Sequence, residues 1–188
     1  MKKYLLLFAL AFIACKKKDK SCAVTSVNEN SNHKVSLESL ATYPSLLDTL
    51  AKYPQLQVYK VINDEYQVGV HCNVYHQGLP VLSDHYNAFQ SKSTNEIHSI
   101  HTELGQEINI ALQATITKEA ANTIAKNTIE FNDNCLKSRL GIFNINSSKG
   151  DLPKDYRLVY KIQNENETQY IIVDAHTGVV YRQNDGIY

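Results

Sequence analysis

The chain of 188 residues has no Trp, only 7 Gly and 4 Pro, and no net charge, with 19 Lys+Arg against 19 Asp+Glu. So few Gly and Pro exclude a collagen-like repeat and any long low-complexity region. The balanced charge removes both the bulk positive field that favours nucleic acid and the acidic block that marks a disordered tail. No stretch is apolar for the roughly 20 residues that a membrane-spanning helix requires. The chain also lacks a His-Glu-x-x-His pair, a Gly-x-Ser-x-Gly elbow, a phosphate loop and a dinucleotide fingerprint. What is present is ordinary globular usage, 43% hydrophobic and 20% charged, and its 12 Tyr against 5 Phe lean towards strands.

The first residues read as an address. Met1-Lys2-Lys3 is a short basic start, and residues 4–14 (YLLLFALAFIA) form an uncharged apolar run of about eleven residues, the length of a signal-peptide core and too short to span a bilayer. The run ends in Phe12-Ile13-Ala14-Cys15, which resembles a bacterial lipoprotein lipobox. The resemblance implies cleavage before Cys15 and acylation of Cys15, with palmitate-type chains holding the protein on a membrane at about 0.8 kcal/mol per buried CH₂. Loss of residues 1–14 removes Lys2 and Lys3 and leaves 17 basic against 19 acidic side chains, a formal −2. Residues 15–35, with Lys16-Lys17-Lys18-Asp19-Lys20 and a Ser/Asn-rich stretch, read as the lipidated Cys and a solvated tether.

Cysteine arithmetic leaves Cys22, Cys72 and Cys135 in an exported, oxidising setting. Three is odd, so at least one thiol is unpaired within the chain. Cys72 lies on the apolar side of an alternating strand and reads as a buried thiol, a Cys72–Cys135 bridge being the alternative, while Cys22 can pair with either or stay free. None sits in a Cys-x-x-Cys or at zinc-ligand spacing.

Periodicity supplies the organisation. Ser36 can cap a short helix through Leu37, Leu40 and Ala41, and Pro44 suits the first turn of a second helix carrying Leu46, Leu47, Leu50 and Ala51, stopped at Tyr53-Pro54. From Gln57 the period becomes two: Tyr66, Val68, Val70, Cys72 and Val74 alternate with Gln67, Gly69, His71 and Asn73. A turn at Gln77-Gly78-Leu79-Pro80 precedes strands at residues 81–89 and 97–104. Thr117 then caps a helix with Ala120, Ala121, Ile124 and Ala125, which the pattern extends or restarts around Leu136 and Leu140. Strands at residues 156–162, 170–173 and 179–181 form a meander, with Asp174 and Gly178 supplying the chemistry of its second turn. The expected class is α+β, two helix-plus-antiparallel-sheet units in succession, spanning residues 36–110 and 111–188.

Candidate chemistry is thin. His98 and His101 stand at i, i+3, which in a strand puts them on opposite faces. His71, His76 and His85 lie near one another across the expected hairpin, yet no carboxylate or thiolate completes a metal set, and solvent-facing strand histidines are the simpler reading. His176 falls in the turn after Asp174, whose carboxylate is better employed by the turn than by a catalytic partner. No catalytic, cofactor or metal residue is assigned, and the Tyr residues read as sheet packing rather than a carbohydrate platform.

Ile116-Thr117-Lys118-Glu119-Ala120-Ala121, then Tyr156-Arg157-Leu158-Val159-Tyr160-Lys161-Ile162, then Val173-Asp174-Ala175-His176-Thr177-Gly178-Val179-Val180, together resemble a PepSY domain. Upstream, Tyr75-His76-Gln77-Gly78-Leu79-Pro80-Val81 is similar to the Tyr-x-Gly-Ile-Pro-Val element of the FTP domain, the fungalysin/thermolysin propeptide. The likeness covers about residues 56–188 and departs from the FTP pattern at Thr94-Asn95-Glu96, where an Asp-Gly turn is usual.

FTP followed by PepSY is the order of the prodomains of thermolysin-like metalloproteases, in which the chain would run on past the position of Tyr188 into a catalytic domain. The resemblance therefore implies a non-enzymatic, lipid-anchored module of the bacterial envelope, on the outer membrane. It would inhibit or chaperone a secreted metalloprotease in trans through a sheet edge or the tail at residues 182–188. It implies no cofactor and no nucleic-acid partner. The alternative expectation is an envelope adaptor or assembly lipoprotein with no protease partner.

Overall fold

The computed structural model describes residues 37–101, 107–131, 135–148, 152–164 and 169–184. Cys15, Cys22, the tether and residues 185–188 lie outside the described residues. The protein is α+β and dominated by one mixed eight-stranded sheet. A single 3-10 turn at Glu38–Leu40 is followed by α1 (Pro44–Ala51), β1 (Leu56–Asn63), β2 (Gln67–His76), β3 (Leu79–Ser91) and β4 (Ile97–His101). Then come α2 (Lys118–Thr128), β5 (Leu136–Asn144), β6 (Tyr156–Asn164), β7 (Tyr170–Asp174) and β8 (Val180–Asn184).

The strands pair antiparallel within β1–β4 and within β5–β8, and both sets belong to one sheet. Its order is β1-β2-β3-β5-β6-β7-β8, with β4 also on β3. The seam is the parallel pairing of β3 with β5, at Val81 opposite Ile142. Three polar contacts close it further: Asn144 N–H donates to Ser83 Oγ at 3.0 Å, the Tyr156 hydroxyl to Asp84 Oδ2 at 2.8 Å, and Arg139 Nη2 to the Tyr75 hydroxyl at 3.3 Å.

Local chemistry accounts for most elements. α1 starts with Pro44 in its first turn, where a missing N–H costs nothing. α2 is capped by Thr117, whose side chain accepts from Ala120 N–H, a contact worth about 1 kcal/mol. The β2–β3 hairpin turns on Gln77 and Gly78, both at positive φ (47° and 83°), the conformation that twists two strands into register. Where the FTP pattern has Asp-Gly, Asn95 takes φ 61° in place of Gly, as a short polar side chain allows.

One expectation is corrected. Residues 136–140 are strand, not a continued helix: β5 pairs in unbroken register with β6 from Leu136↔Asn164 to Asn144↔Tyr156. The alternation of Leu136, Ser138, Leu140 and Ile142 with charged or Gly residues fits a half-covered strand, and nine cross-strand pairs outweigh the helix-compatible spacing of two leucines.

Both helices cover one face. Leu46 of α1 packs with Val68, Val70, Cys72, Tyr86 and Ala88. Ala121 and Ala125 of α2 pack with Leu158, Tyr160, Ile162, Ile171 and Val173. Val74, Val81, Ile142 and Tyr156 bridge the two clusters across the seam. Alternation along each strand then sends Phe143, Val159 and Ile172 to the opposite face, where no helix lies among the described residues and Leu82, Ile145, Tyr170 and Tyr181 pack over them.

Candidate functional site

A concavity lies at the seam, a groove of about 510 Å³ bounded by Gln55 and Gln57 on one side and by Tyr75, Gly78 and Leu79 of the β2–β3 hairpin on another. Arg139 and Leu140 of β5 form the remaining wall. The hairpin wall is the Gly-Leu-Pro element that resembles the FTP motif. Arg139, exposed, hydrogen bonds the Tyr75 hydroxyl and so presents its guanidinium along the groove.

The backbone matters as much as the side chains. β3 reaches β5 only at Val81↔Ile142, so among the described residues the stretch 136–140 of β5 has a ladder partner on one side alone, β6. The side of β5 that has no ladder partner among the described residues borders the groove at Arg139 and Leu140, and an extended segment can add to a strand edge of this kind. The sequence reading missed this edge because it took residues 136–140 as helix. The available signal was the alternation around Lys137, Arg139 and Gly141.

The candidate cysteines separate. Cys72 is a free, buried thiol in β2, against the α1 side of the core. Cys135 is disulfide-bonded. The Cys72–Cys135 bridge is thus corrected: Cys72 points into the packed face, among Val68, Val70 and Tyr86, and keeps its thiol. Burial pushes that thiol up to about 12, which leaves almost no thiolate at neutral pH. Maleimide at pH 7.5 is expected to leave Cys72 unmodified in the folded protein and to label it in urea. Mass spectrometry checks this, and rapid labelling of native Cys72 would contradict the burial argument.

The histidines do not converge. His71 opposes Asn87 and His85 opposes Asn73, and the His71 ring packs edge-on to Phe89 at 5.8 Å and against Tyr59 at 6.0 Å. Among the described residues no group of three or more His, Cys, Asp or Glu stands at metal-binding distance. His176 follows Asp174 in the turn between β7 and β8. It is half-buried, with Nδ1 3.3 Å from Thr115 Oγ1 and Nε2 3.1 Å from the Ala111 carbonyl, so it ties the chain before α2 to the β7–β8 turn. Asp174 serves that turn as expected: it accepts from His176 N–H at 2.8 Å, Thr177 N–H at 2.7 Å and the Tyr181 hydroxyl at 2.7 Å.

Fold and site thus define a sheet-dominated α+β protein with an open groove at the seam of two antiparallel halves. No protein-family profile and no curated protein matches the sequence. Among solved structures, the chain is similar to the Bacillus megaterium YpeB C-terminal domain, with a TM-score of 0.46 and 16% sequence identity over 82% of this chain. The alignment takes in 66% of that chain, just under two thirds of its length.

Proposed function

We propose that the chain is a lipid-anchored, non-enzymatic binding module of the bacterial cell envelope, held through Cys15, that engages a thermolysin-like metalloprotease in trans as inhibitor or folding assistant. The observation that carries this reading is the half-open β5 edge beside the seam groove. At Arg139 and Leu140 this edge lines the groove, and the Gly78-Leu79-Pro80 wall and Gln57 shape the space in which an added strand would lie. The resemblance of the chain to FTP and PepSY sequences names the protease class. The PepSY identity of the second half belongs to the same proposal.

Titration of the purified protein against a thermolysin-like protease tests it. Inhibition, or faster recovery of activity on refolding, is expected. Gln57→Trp, which fills the groove from a half-exposed strand position, should weaken the effect at least tenfold with an unchanged Tm. No inhibition, no refolding assistance and no protease retained from a native envelope extract would sink the reading and favour an envelope adaptor.

A further inference from the structure

A second concavity of about 260 Å³ opens on the sheet face away from the helices, with Phe143, Ile172 and Leu82 as floor and Lys161, Arg182 and Tyr170 as rim. The strand registers set three cations in one row on this face, Lys161 and Arg182 on the rim of the concavity and Arg139 beyond it, beside Tyr75. Arg139 of β5 stands directly opposite Lys161 of β6, Lys161 opposite Ile172 of β7, and Ile172 opposite Arg182 of β8. Like charges directly opposite each other on a sheet are destabilising, and among the described residues none of the three makes an ion pair. Lys161 is held over the Tyr170 ring at 5.0 Å, and Arg182 lies 5.9 Å from the same ring.

Lys161 is half-buried, and its ammonium is pushed below the ordinary lysine value, first by burial and then by Arg139 and Arg182. Two described carboxylates of the same sheet are already engaged. Asp174, on the same face, is held by Tyr181 and two backbone N–H groups, and Asp84, next to Ser83, by Ser83 and Tyr156. Arg157, four residues before Lys161 on the same strand, is paired with Asp155. The row is thus a set of cations brought together at a cost and, among the described residues, without an ion-pair partner.

We propose that this face binds an acidic peptide segment in extended conformation, crossing the strands with two carboxylates on the cations and an apolar side chain between them over Ile172. Strand spacing fixes the register. Arg139 and Arg182 are three strands apart, roughly 14 Å, and an extended chain advances about 3.4 Å per residue, so carboxylates four residues apart match the row. An apolar residue midway, two positions from each acid, falls on the Phe143–Ile172 floor. The matching pattern is Glu-x-Val-x-Glu. A single phosphate spans too little of the row to meet all three cations. The inference shares Arg139 with the seam groove, and Arg182→Gln, which lies outside that groove, separates the two readings.

Fluorescence anisotropy of the full-length protein with labelled Glu-Ser-Val-Ser-Glu, against Gln-Ser-Val-Ser-Gln, reads it directly. At low salt the acidic peptide should bind at least tenfold tighter, and the preference should fade as salt rises. Arg182→Gln, and separately the double variant with Arg139→Gln, should each remove most of that preference while Tm holds or rises, because exposed like charges are being removed. Equal affinity for the two peptides, or an unchanged preference in the double variant, overturns the proposal. So does displacement of the acidic peptide by equimolar inorganic phosphate, or tighter retention by phosphatidylglycerol vesicles than by the peptide.

Discussion

Replacement of Gly141 by Val is expected to destabilise the protein by roughly 3 kcal/mol and to uncouple the two halves of the sheet. Gly141 sits one residue before the Val81↔Ile142 bridge, and a Cβ built there falls 2.8 Å from the Pro80 carbonyl oxygen and 2.8 Å from Leu82 Cγ. The Leu82 side chain can rotate away. The Pro80 carbonyl belongs to β3 backbone, and it retreats only if β3 separates from β5. Because that bridge is the one ladder contact joining the halves among the described residues, the strain is concentrated where the sheet is most weakly held.

Gly141→Ala should show the same effect at smaller size. Leu82→Ala in the Gly141→Ala background should recover only part of the loss, since the carbonyl contact persists. Urea unfolding followed by circular dichroism provides the measurement. A lower midpoint for Gly141→Val is expected, with a broadened or divided transition as β1–β4 and β5–β8 unfold apart. A midpoint equal to that of the unaltered protein would show that the seam yields without cost.

The seam also marks the limit of what the sequence conveys. The strands on either side of it are legible because alternation is strong where one face is buried: Val68, Val70, Cys72 and Val74 in β2, Leu158, Tyr160 and Ile162 in β6. α1 and α2 are announced by Pro44 and by Thr117, whose local chemistry fits only a helix start. β5 is not announced, because Leu136 and Leu140 at i, i+4 satisfy a helical stripe, and only pairing with β6 along its full length makes the strand the better answer.

Nor does periodicity show which strands are neighbours. The β3–β5 contact joins residues about sixty positions apart, and no local pattern encodes it. Both concavities depend on that contact or on the order of β5–β8, so Arg139 and Lys161 carry no sequence signal of their own. Each looks like a solvated strand residue until the register sets them opposite each other.

Asp174 and Tyr181 give the second large effect, and here pH separates it from simple loss of packing. Asp174 is 3% exposed and accepts three hydrogen bonds, from Tyr181 and from the N–H groups of His176 and Thr177. Burial alone would raise its carboxyl, but these hydrogen bonds outweigh burial and hold it below its ordinary value of 3.8. Asp174→Ala leaves all three donors without their acceptor, a loss of about 3 kcal/mol or more at neutral pH.

A carboxyl depressed in the folded state contributes stability that is present above its unfolded pKa and is lost as pH falls through the lower folded value. Asp174→Ala should therefore cost most at neutral pH and progressively less below pH 4. The Tyr181 phenol is displaced the other way, up to about 12, by burial and then by the Asp174 carboxylate. A phenol raised in the folded state contributes stability that is present below the unfolded value near 10 and is lost as pH climbs through about 12.

Tyr181→Phe should therefore be less stable than the unaltered protein at pH 7 and approach it by pH 12. It should also flatten the acid limb, because Asp174 then loses a donor that favours its charge. Urea midpoints across pH 2–12 for both single variants and the double variant check this. Parallel profiles for Tyr181→Phe and the unaltered protein would mean that the hydroxyl packs in the turn without sharing a proton network with Asp174.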